Sequence, residues 1–115
     1  MGYDSLLDRA GWYGTNAVNL NHIVGLKEPN AFGLFDMHGN VAEWCWDWYS
    51  GTYYTANPVT DPRGPATGSN RVFRGGGRVY FAHQCRSARR SPLGRPEASG
   101  NTSTDYIGFR IVRTY

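Results

Sequence analysis

The sequence predicts an α+β fold made of short strands joined by much irregular structure. Its 115 residues are enough for one modest core, and we expect residues 1–115 to form a single domain. The 15 Gly and 6 Pro favour turns, and the 4 Trp, 8 Tyr and 5 Phe favour a core built from rings. One segment alternates with a period of two, which is typical of a strand. Long amphipathic helices are not expected.

The first forty residues predict little regular structure. Residues 3–14 fit a short helix or turn that ends at Gly14, with apolar side chains available to pack inward. The following stretch is polar and irregular, and only His22–Gly25 is a candidate for a short extended piece. We therefore expect one short helix before the first strand of the sheet.

The clearest strand signal begins at Val41 and runs to Tyr49. In this segment the side chains alternate, so that Trp44, Trp46 and Trp48 fall on one face of a strand. Three indoles in a row would anchor a small core.

The second half predicts loops that separate three further strands. Residues 50–70 are rich in Gly and Pro and are expected to form a long surface loop, and residues 91–105 a second loop. Strands are predicted at Asn70–Arg74, Cys85–Arg89 and Tyr106–Val112. Gly75 to Gly77 allow a bulge or a close backbone approach after the first of these strands.

Charge is divided unevenly along the chain. Residues 1–70 hold three basic and seven acidic residues, whereas residues 71–115 hold nine and two. Almost all of the basic residues are Arg, which stacks on rings and binds carboxylates. No nucleic-acid motif is present, so we expect no nucleic-acid binding.

The sequence has no apolar run long enough to cross a membrane and no visible signal peptide. A soluble protein is therefore expected, in a compartment that the sequence does not identify.

Several strings of residues resemble one family. They are Asn30–Val41, Glu43-Trp44, Arg71–Gly76, Cys85–Ala88 and Gly108–Arg110. With these motifs the chain resembles the formylglycine-generating enzyme (sulfatase-modifying factor) family over roughly residues 6–113. The resemblance implies a C-type lectin-like fold. It matches the C-terminal half of the family domain, so the chain is either a reduced version or part of a longer one.

The same layout is similar to that of variable proteins of diversity-generating retroelements. In those proteins, an Arg-Gly-Gly segment and a Gly-Phe-Arg segment frame positions that vary to bind different ligands. The resemblance implies a non-catalytic module that binds a protein or small-molecule ligand through residues between the two segments. The candidate ligand-binding residues are Arg78, Tyr80, Phe81, His83, Gln84, Arg89 and Arg95.

An oxidase is the alternative that the resemblance offers. The generating enzymes oxidise a peptide cysteine with copper held by two thiolates, and soft thiolate pairs suit Cu(I). Counted from the glycines, those two positions fall on Tyr80 and Cys85, so one thiolate is missing. We therefore expect neither copper nor catalytic residues, and Cys85 would be catalytic only if the oxidase alternative holds. An accessory domain of a larger partner is a third possibility.

Calcium is the cofactor that the resemblance implies. In the family a calcium ion is held at positions that match the side chains of Asp36 and Glu43 and the carbonyls of Gly39 and Val41. Two carboxylates with backbone oxygens make a sensible site for a hard cation. The competing interpretation is that Asp36 caps a turn and that Glu43 pairs with an Arg.

The remaining reactive side chains predict no metal site. His22, His38 and His83 are well separated and have none of the usual metal-ligand spacings. Cys45 and Cys85 are too few for a disulfide framework, and free, buried thiols are favoured over a bridge between them.

Several residues of the Arg-Gly-Gly and Gly-Phe-Arg segments are expected to have structural roles. Gly75, Gly76 and Gly108 should be structural, and the ring of Phe109 should fill the core. Ala42 replaces a Trp that is common in relatives, which leaves space and makes a homo-oligomer a candidate assembly.

Overall fold

The computed structural model describes residues 3–54, 60–91, 105 and 107–114. Its elements, in chain order, are α1 (Ser5–Ala10), β1 (Gly11–Trp12), β2 (His38–Gly39), β3 (Ala42–Trp48), β4 (Arg71–Arg74), a 3-10 helix (Ala82–Cys85) and β5 (Ile107–Gly108). Helix, short strands and long irregular stretches confirm the predicted α+β class. Among the described residues, no helix has the length and apolar character needed to cross a membrane.

Helix α1 begins at a side-chain cap. The Asp4 carboxylate accepts hydrogen bonds from the backbone N–H groups of Leu6 and Leu7 at 3.0 and 2.9 Å, which satisfies two donors of the first turn. The helix ends where Gly11 takes an extended conformation and starts β1. The helix predicted over residues 3–14 is therefore real but shorter than that range.

Strands β1 and β2 form a small parallel pair that was not predicted. Gly11 pairs with His38 and Trp12 pairs with Gly39. Gly39 has a φ of 79°, and a Cβ at this position would lie 2.1 Å from the carbonyl oxygen of Trp12. Only glycine allows this approach. Two-residue strands carry no periodicity, which is why the sequence pattern did not reveal them.

The main sheet has three strands in the order β4-β3-β5. Strand β3 is antiparallel to β4 and parallel to β5. The centre of the core is formed by Ala42 and Phe73, with Trp44 and Ile107 packed against them. The rings of Trp44 and Phe73 meet edge to face at 5.7 Å. The strands predicted at residues 41–49 and 70–74 are therefore confirmed as β3 and β4.

The expectation of three core indoles is wrong for Trp46. This side chain is 89% exposed, whereas Trp44 and Trp48 are half-buried. The pairing of β3 with β4 has a register irregularity between Trp44 and Trp48. A bulge of this kind bends the strand and redirects a side chain, so strict alternation does not hold at this point.

Two strand predictions in the second half of the chain need correction. Cys85–Arg89 is not a strand, because the 3-10 helix ends at Cys85 and a hydrogen bond from the Arg89 N–H to the Arg86 carbonyl closes a turn. Of the strand predicted at Tyr106–Val112, only Ile107–Gly108 is paired among the described residues.

The expected core role of Phe109 is also wrong. Its side chain is 78% exposed. Strand β5 ends one residue before it, so the ring lies beyond the part of the chain that the sheet holds. His22–Gly25, the other candidate extended piece, forms no strand either.

Candidate functional site

The segment after β4 turns tightly over a buried cysteine. Gly75 and Gly76 both have positive φ angles, 94° and 71°. A Cβ on Gly76 would lie 2.4 Å from the Cys85 sulfur and 2.9 Å from its Cα. The glycines therefore let the backbone cross directly over Cys85, which is 1% exposed.

The next residues present side chains outward from this turn. The Phe81 N–H donates to the Gln84 side-chain oxygen, and the Gln84 N–H donates to the Phe81 carbonyl, both at 2.9 Å. These bonds close the 3-10 helix. Phe81 is 45% exposed and its ring stacks on that of the exposed His83, with centroids 5.8 Å apart. Phe81 and His83 thus form an outward-facing aromatic pair on a fixed turn.

Three of the predicted ligand residues meet at a small crevice. Tyr80, Gln84 and Arg89 line it together with Phe73 and Arg74 of β4. Its volume is about 20 Å³, which is room for roughly one water molecule. This crevice is therefore too small to enclose a small molecule.

Arg78 lies behind this surface rather than on it. Its guanidinium donates to the Asn19 carbonyl, the Asn21 side chain and both the carbonyl and the carboxylate of Asp105, at 2.6 to 3.1 Å. Its side chain is only 11% exposed. We therefore assign Arg78 to holding three distant parts of the chain together. Arg95 lies outside the described residues.

The Cys85 thiol is placed as a core group. Burial raises its pKa above the ordinary value of 9.0, and a hydrogen bond with the Gly77 backbone offsets this in part. The thiol is therefore protonated at neutral pH. The Cys85 carbonyl lies 2.6 Å from the His38 ring nitrogen Nδ1, which fixes the residue further. Cys45 is half-buried, its pKa is also raised, chiefly by burial, and both cysteines are free as predicted.

The four residues of the predicted calcium site line one groove. Asp36, Gly39, Val41 and Glu43 all contribute to a groove of about 620 Å³. Asp36 is 8% exposed; one carboxylate oxygen accepts a hydrogen bond from the Gly25 N–H, and the other is buried with no hydrogen-bond partner among the described residues. A buried carboxylate oxygen without a partner is costly, and a cation would satisfy it. The donor set at Asp36 therefore fits calcium.

Glu43 pairs with an Arg, as the competing interpretation expected, and the structure identifies this residue as Arg110. Arg110 donates to both Glu43 carboxylate oxygens at 2.9 and 2.8 Å, and also to the carbonyl of Phe35. The hydrogen bonding that Arg110 donates to Glu43 is the main cause that raises the pKa of Arg110. A calcium ion in this groove would share Glu43 with Arg110. The Gly-Phe-Arg motif singled out Arg110 in the sequence. The motif did not reveal that its partner is Glu43, because the two residues are 67 positions apart.

His22 and His38 take structural positions. His22 stacks on Trp12 with centroids 3.7 Å apart, and its Nε2 lies 2.9 Å from the Ala17 carbonyl. Across residues 3–54, 60–91, 105 and 107–114, no three His, Cys, Asp or Glu side chains are grouped so as to hold a metal ion.

Comparisons with known families identify one matching model. The sulfatase-modifying factor enzyme 1-like domain matches residues 7–115. A formylglycine-generating enzyme of Streptomyces coelicolor is 44% identical over 84 residues, which are 73% of this chain and 26% of that enzyme. The serine/threonine-protein kinase pkn1 of Chlamydia pneumoniae is 54% identical over 87 residues, which are 74% of this chain and 13% of that kinase.

Among solved structures, Treponema denticola variable protein 1 is similar over nearly the whole chain. The two superpose with a TM-score of 0.78 and 37% sequence identity, covering 95% of this chain and 37% of that one. This similarity shows that the fold is C-type lectin-like. The chain spans well under half the length of each of these relatives.

Proposed function

Because the chain belongs to the family of sulfatase-modifying factor enzyme 1-like domains, we propose that it is a ligand-binding module without catalytic activity. The observation that carries the proposal is the state of the two positions that hold copper in the family's enzymes. One position is Tyr80, and the other is the buried Cys85, whose pKa is raised by burial. A phenol and a protonated core thiol do not form the thiolate pair that Cu(I) requires.

The proposed binding surface is formed by Tyr80, Phe81, His83, Gln84 and Arg89. The aromatic pair Phe81–His83 faces outward, while Gln84 and the glycine turn hold the backbone beneath it. Rigid aromatic side chains supply contact area at low entropic cost. Since the crevice beside them is too small for a ligand, the surface favours a protein ligand over a small molecule. The layout of diversified variable proteins supports the same interpretation.

An oxidation assay tests the absence of catalysis. The protein is incubated with Cu(I), oxygen and a cysteine-containing sulfatase-type peptide, and the peptide is analysed by mass spectrometry. We expect no conversion to the aldehyde beyond that seen with Cys85→Ser. Copper-dependent turnover that Cys85→Ser abolishes would overturn the proposal and establish the oxidase alternative, which the 44% identity to a formylglycine-generating enzyme favours.

A display library tests the binding surface. Val79, Phe81 and His83, which are all exposed, are randomised together, and a matched library randomises the buried Val72 and Phe73. We expect the first library to remain protease-resistant and to yield binders to a probe protein such as hen egg-white lysozyme. If both libraries lose protease resistance equally, the surface is part of the core and the proposal fails.

We also propose that calcium binds in the groove beside β3. Asp36 would supply the anchoring carboxylate, with the carbonyls of Gly39 and Val41 and a share of Glu43 as further oxygen ligands. The unpartnered buried oxygen of Asp36 supports this. Bound there, calcium would stabilise the turn between β2 and β3.

A further inference from the structure

Trp46 is an indole that the fold turns outward. It lies in the middle of β3, yet it is 89% exposed. The irregular pairing between Trp44 and Trp48 separates it from its two half-buried neighbours. Leaving an indole in water gives up the stabilisation of burying its large apolar area. Folding alone therefore does not account for a Trp at this position.

Arg71 of β4 stands beside this indole in a fixed orientation. Its guanidinium carbon lies 3.7 Å from the Trp48 ring centroid and 5.1 Å from that of Trp46. The guanidinium also donates a hydrogen bond to the Trp46 carbonyl. Stacking and this bond hold the cation in place, but one bond leaves most of its five N–H donors available.

No carboxylate neutralises Arg71 in the part of the chain that the structure describes. The ion pairs there involve Arg9, Arg78, Arg90 and Arg110. An immobilised guanidinium with spare donors matches a carboxylate in charge and geometry.

We propose that Trp46 and Arg71 form a docking surface for an acidic segment of a protein partner. Trp and Arg are the residues most enriched among those that dominate binding energy in protein interfaces. An indole that is 89% exposed projects from the surface, so the partner must supply the concave side of the contact. That requirement favours a protein over a small molecule, which binds in a concave site. The carboxylates of the segment bind Arg71, and an adjacent apolar side chain packs on Trp46.

The docking surface is tested with the full 115-residue chain given by the sequence and a defined probe. The probe is the peptide acetyl-Glu-Glu-Phe-Glu-Glu-amide, compared with versions in which Gln or Lys replaces every Glu. Binding is followed by NMR through the indole N–H signals of ¹⁵N-labelled protein. We expect the acidic peptide to shift the Trp46 signal in a saturable way. The Gln and Lys versions should bind at least about tenfold more weakly, the loss expected for a charge-assisted contact.

Substitutions separate this surface from a general attraction between charges. Trp46→Ala, followed through the indole N–H of Trp48 beside Arg71, and Arg71→Gln should each weaken binding of the acidic peptide about tenfold. Trp46→Ala should leave the melting temperature nearly unchanged because the side chain is exposed. Arg63→Gln removes the same charge from an exposed position and should have little effect.

Other results would overturn the proposal. Equal binding of the Lys peptide, an equal loss in Arg63→Gln, or no saturable shift would each exclude a specific acidic partner. A change of sedimentation coefficient in Trp46→Ala without peptide would show that the surface is an interface between copies of this chain instead.

Discussion

At the scale of single residues, glycines with positive φ angles are of two kinds. Some only allow the chain to bend, and others also allow another segment to pack closely against the backbone. Gly25 has a φ of 78°, and no atom of the described residues lies within 4 Å of a Cβ built there. Gly76 has a similar φ of 71°, but its Cβ would meet Cys85 at 2.4 Å. A residue with a Cβ would therefore strain the backbone at both positions, but it would clash with neighbouring atoms only at Gly76.

This difference predicts unequal costs for the same substitution. Gly25→Ala should lower the free energy of unfolding by about 1 kcal/mol, the cost of a non-glycine residue in the left-handed region. Gly76→Ala adds a clash with a buried backbone and should cost at least about 3 kcal/mol, as overpacking does when it is added to strain. Urea denaturation of both variants measures the difference, and equal losses would show that the turn over Cys85 yields easily.

The carboxylate of Asp36 predicts a response to calcium. Because one of its oxygens is buried without a partner, millimolar calcium should raise the melting temperature, and a hundredfold excess over the dissociation constant adds about 2.7 kcal/mol. Asp36→Asn should abolish the shift. Arg110→Gln should show a larger calcium-induced shift than the parent protein, because Glu43 is then released from its ion pair. Each shift is measured from the calcium-free melting temperature of the same variant. Thermal melts with and without calcium measure these shifts; a parent protein that does not respond has no site.

At the scale of elements, strand pairing decides which aromatic rings are buried. Phe73 lies in β4, is 7% exposed and packs on Ala42 and Trp44. Phe109 follows β5 and is 78% exposed. The Gly-Phe-Arg motif suggested a core role for Phe109, but of these two rings the sheet buries only that of Phe73.

Paired alanine substitutions check this assignment. Phe73→Ala should cost about 3–5 kcal/mol, as for other buried Phe residues, which is much of the stability of a domain of this size. Phe109→Ala should stay within about 0.5 kcal/mol because its ring is exposed. Guanidinium denaturation of the two variants is the measurement. A large loss for Phe109→Ala would mean that the segment after β5 packs against the protein in solution.

At the scale of the whole molecule, one groove leaves a large apolar surface open. The groove of about 620 Å³ is lined by the side chains of Val24, Leu34, Phe35, Phe109 and Ile111, among others. Val24 is 75% and Ile111 87% exposed. Exposed apolar side chains gathered along one groove are a feature of interaction sites.

The groove supports the proposal that the chain forms a homo-oligomer. Sedimentation velocity over a range of concentrations should show reversible association, and Ile111→Glu should reduce it because a charge would be buried at the contact. Phe32→Glu, at an exposed position that does not line the groove, is the matched control. A protein that stays monomeric at all concentrations, or equal effects of the two variants, would exclude this interface.

The sequence by itself determined the family, the fold class and the two central strands. Short-range patterns carry this information: the two-residue alternation around Trp44 specifies β3, and the residues before Gly75 specify β4. That residue 80 is Tyr and not Cys, at a position where the family resemblance leads us to expect a thiolate, was also visible from its spacing to the glycines. Cys85 was expected to be a free thiol, and the structure agrees.

Only the tertiary structure decided which of the singled-out side chains are free to act. Arg78 is held by residues as many as 59 positions away, and Arg110 reaches Glu43 across 67 positions. Trp46 points outward in a stretch of β3 where the pairing with β4 is irregular. Contacts between segments far apart in the chain leave no period or spacing in the sequence, so local patterns predict the strands, whereas long-range packing determines what each side chain touches.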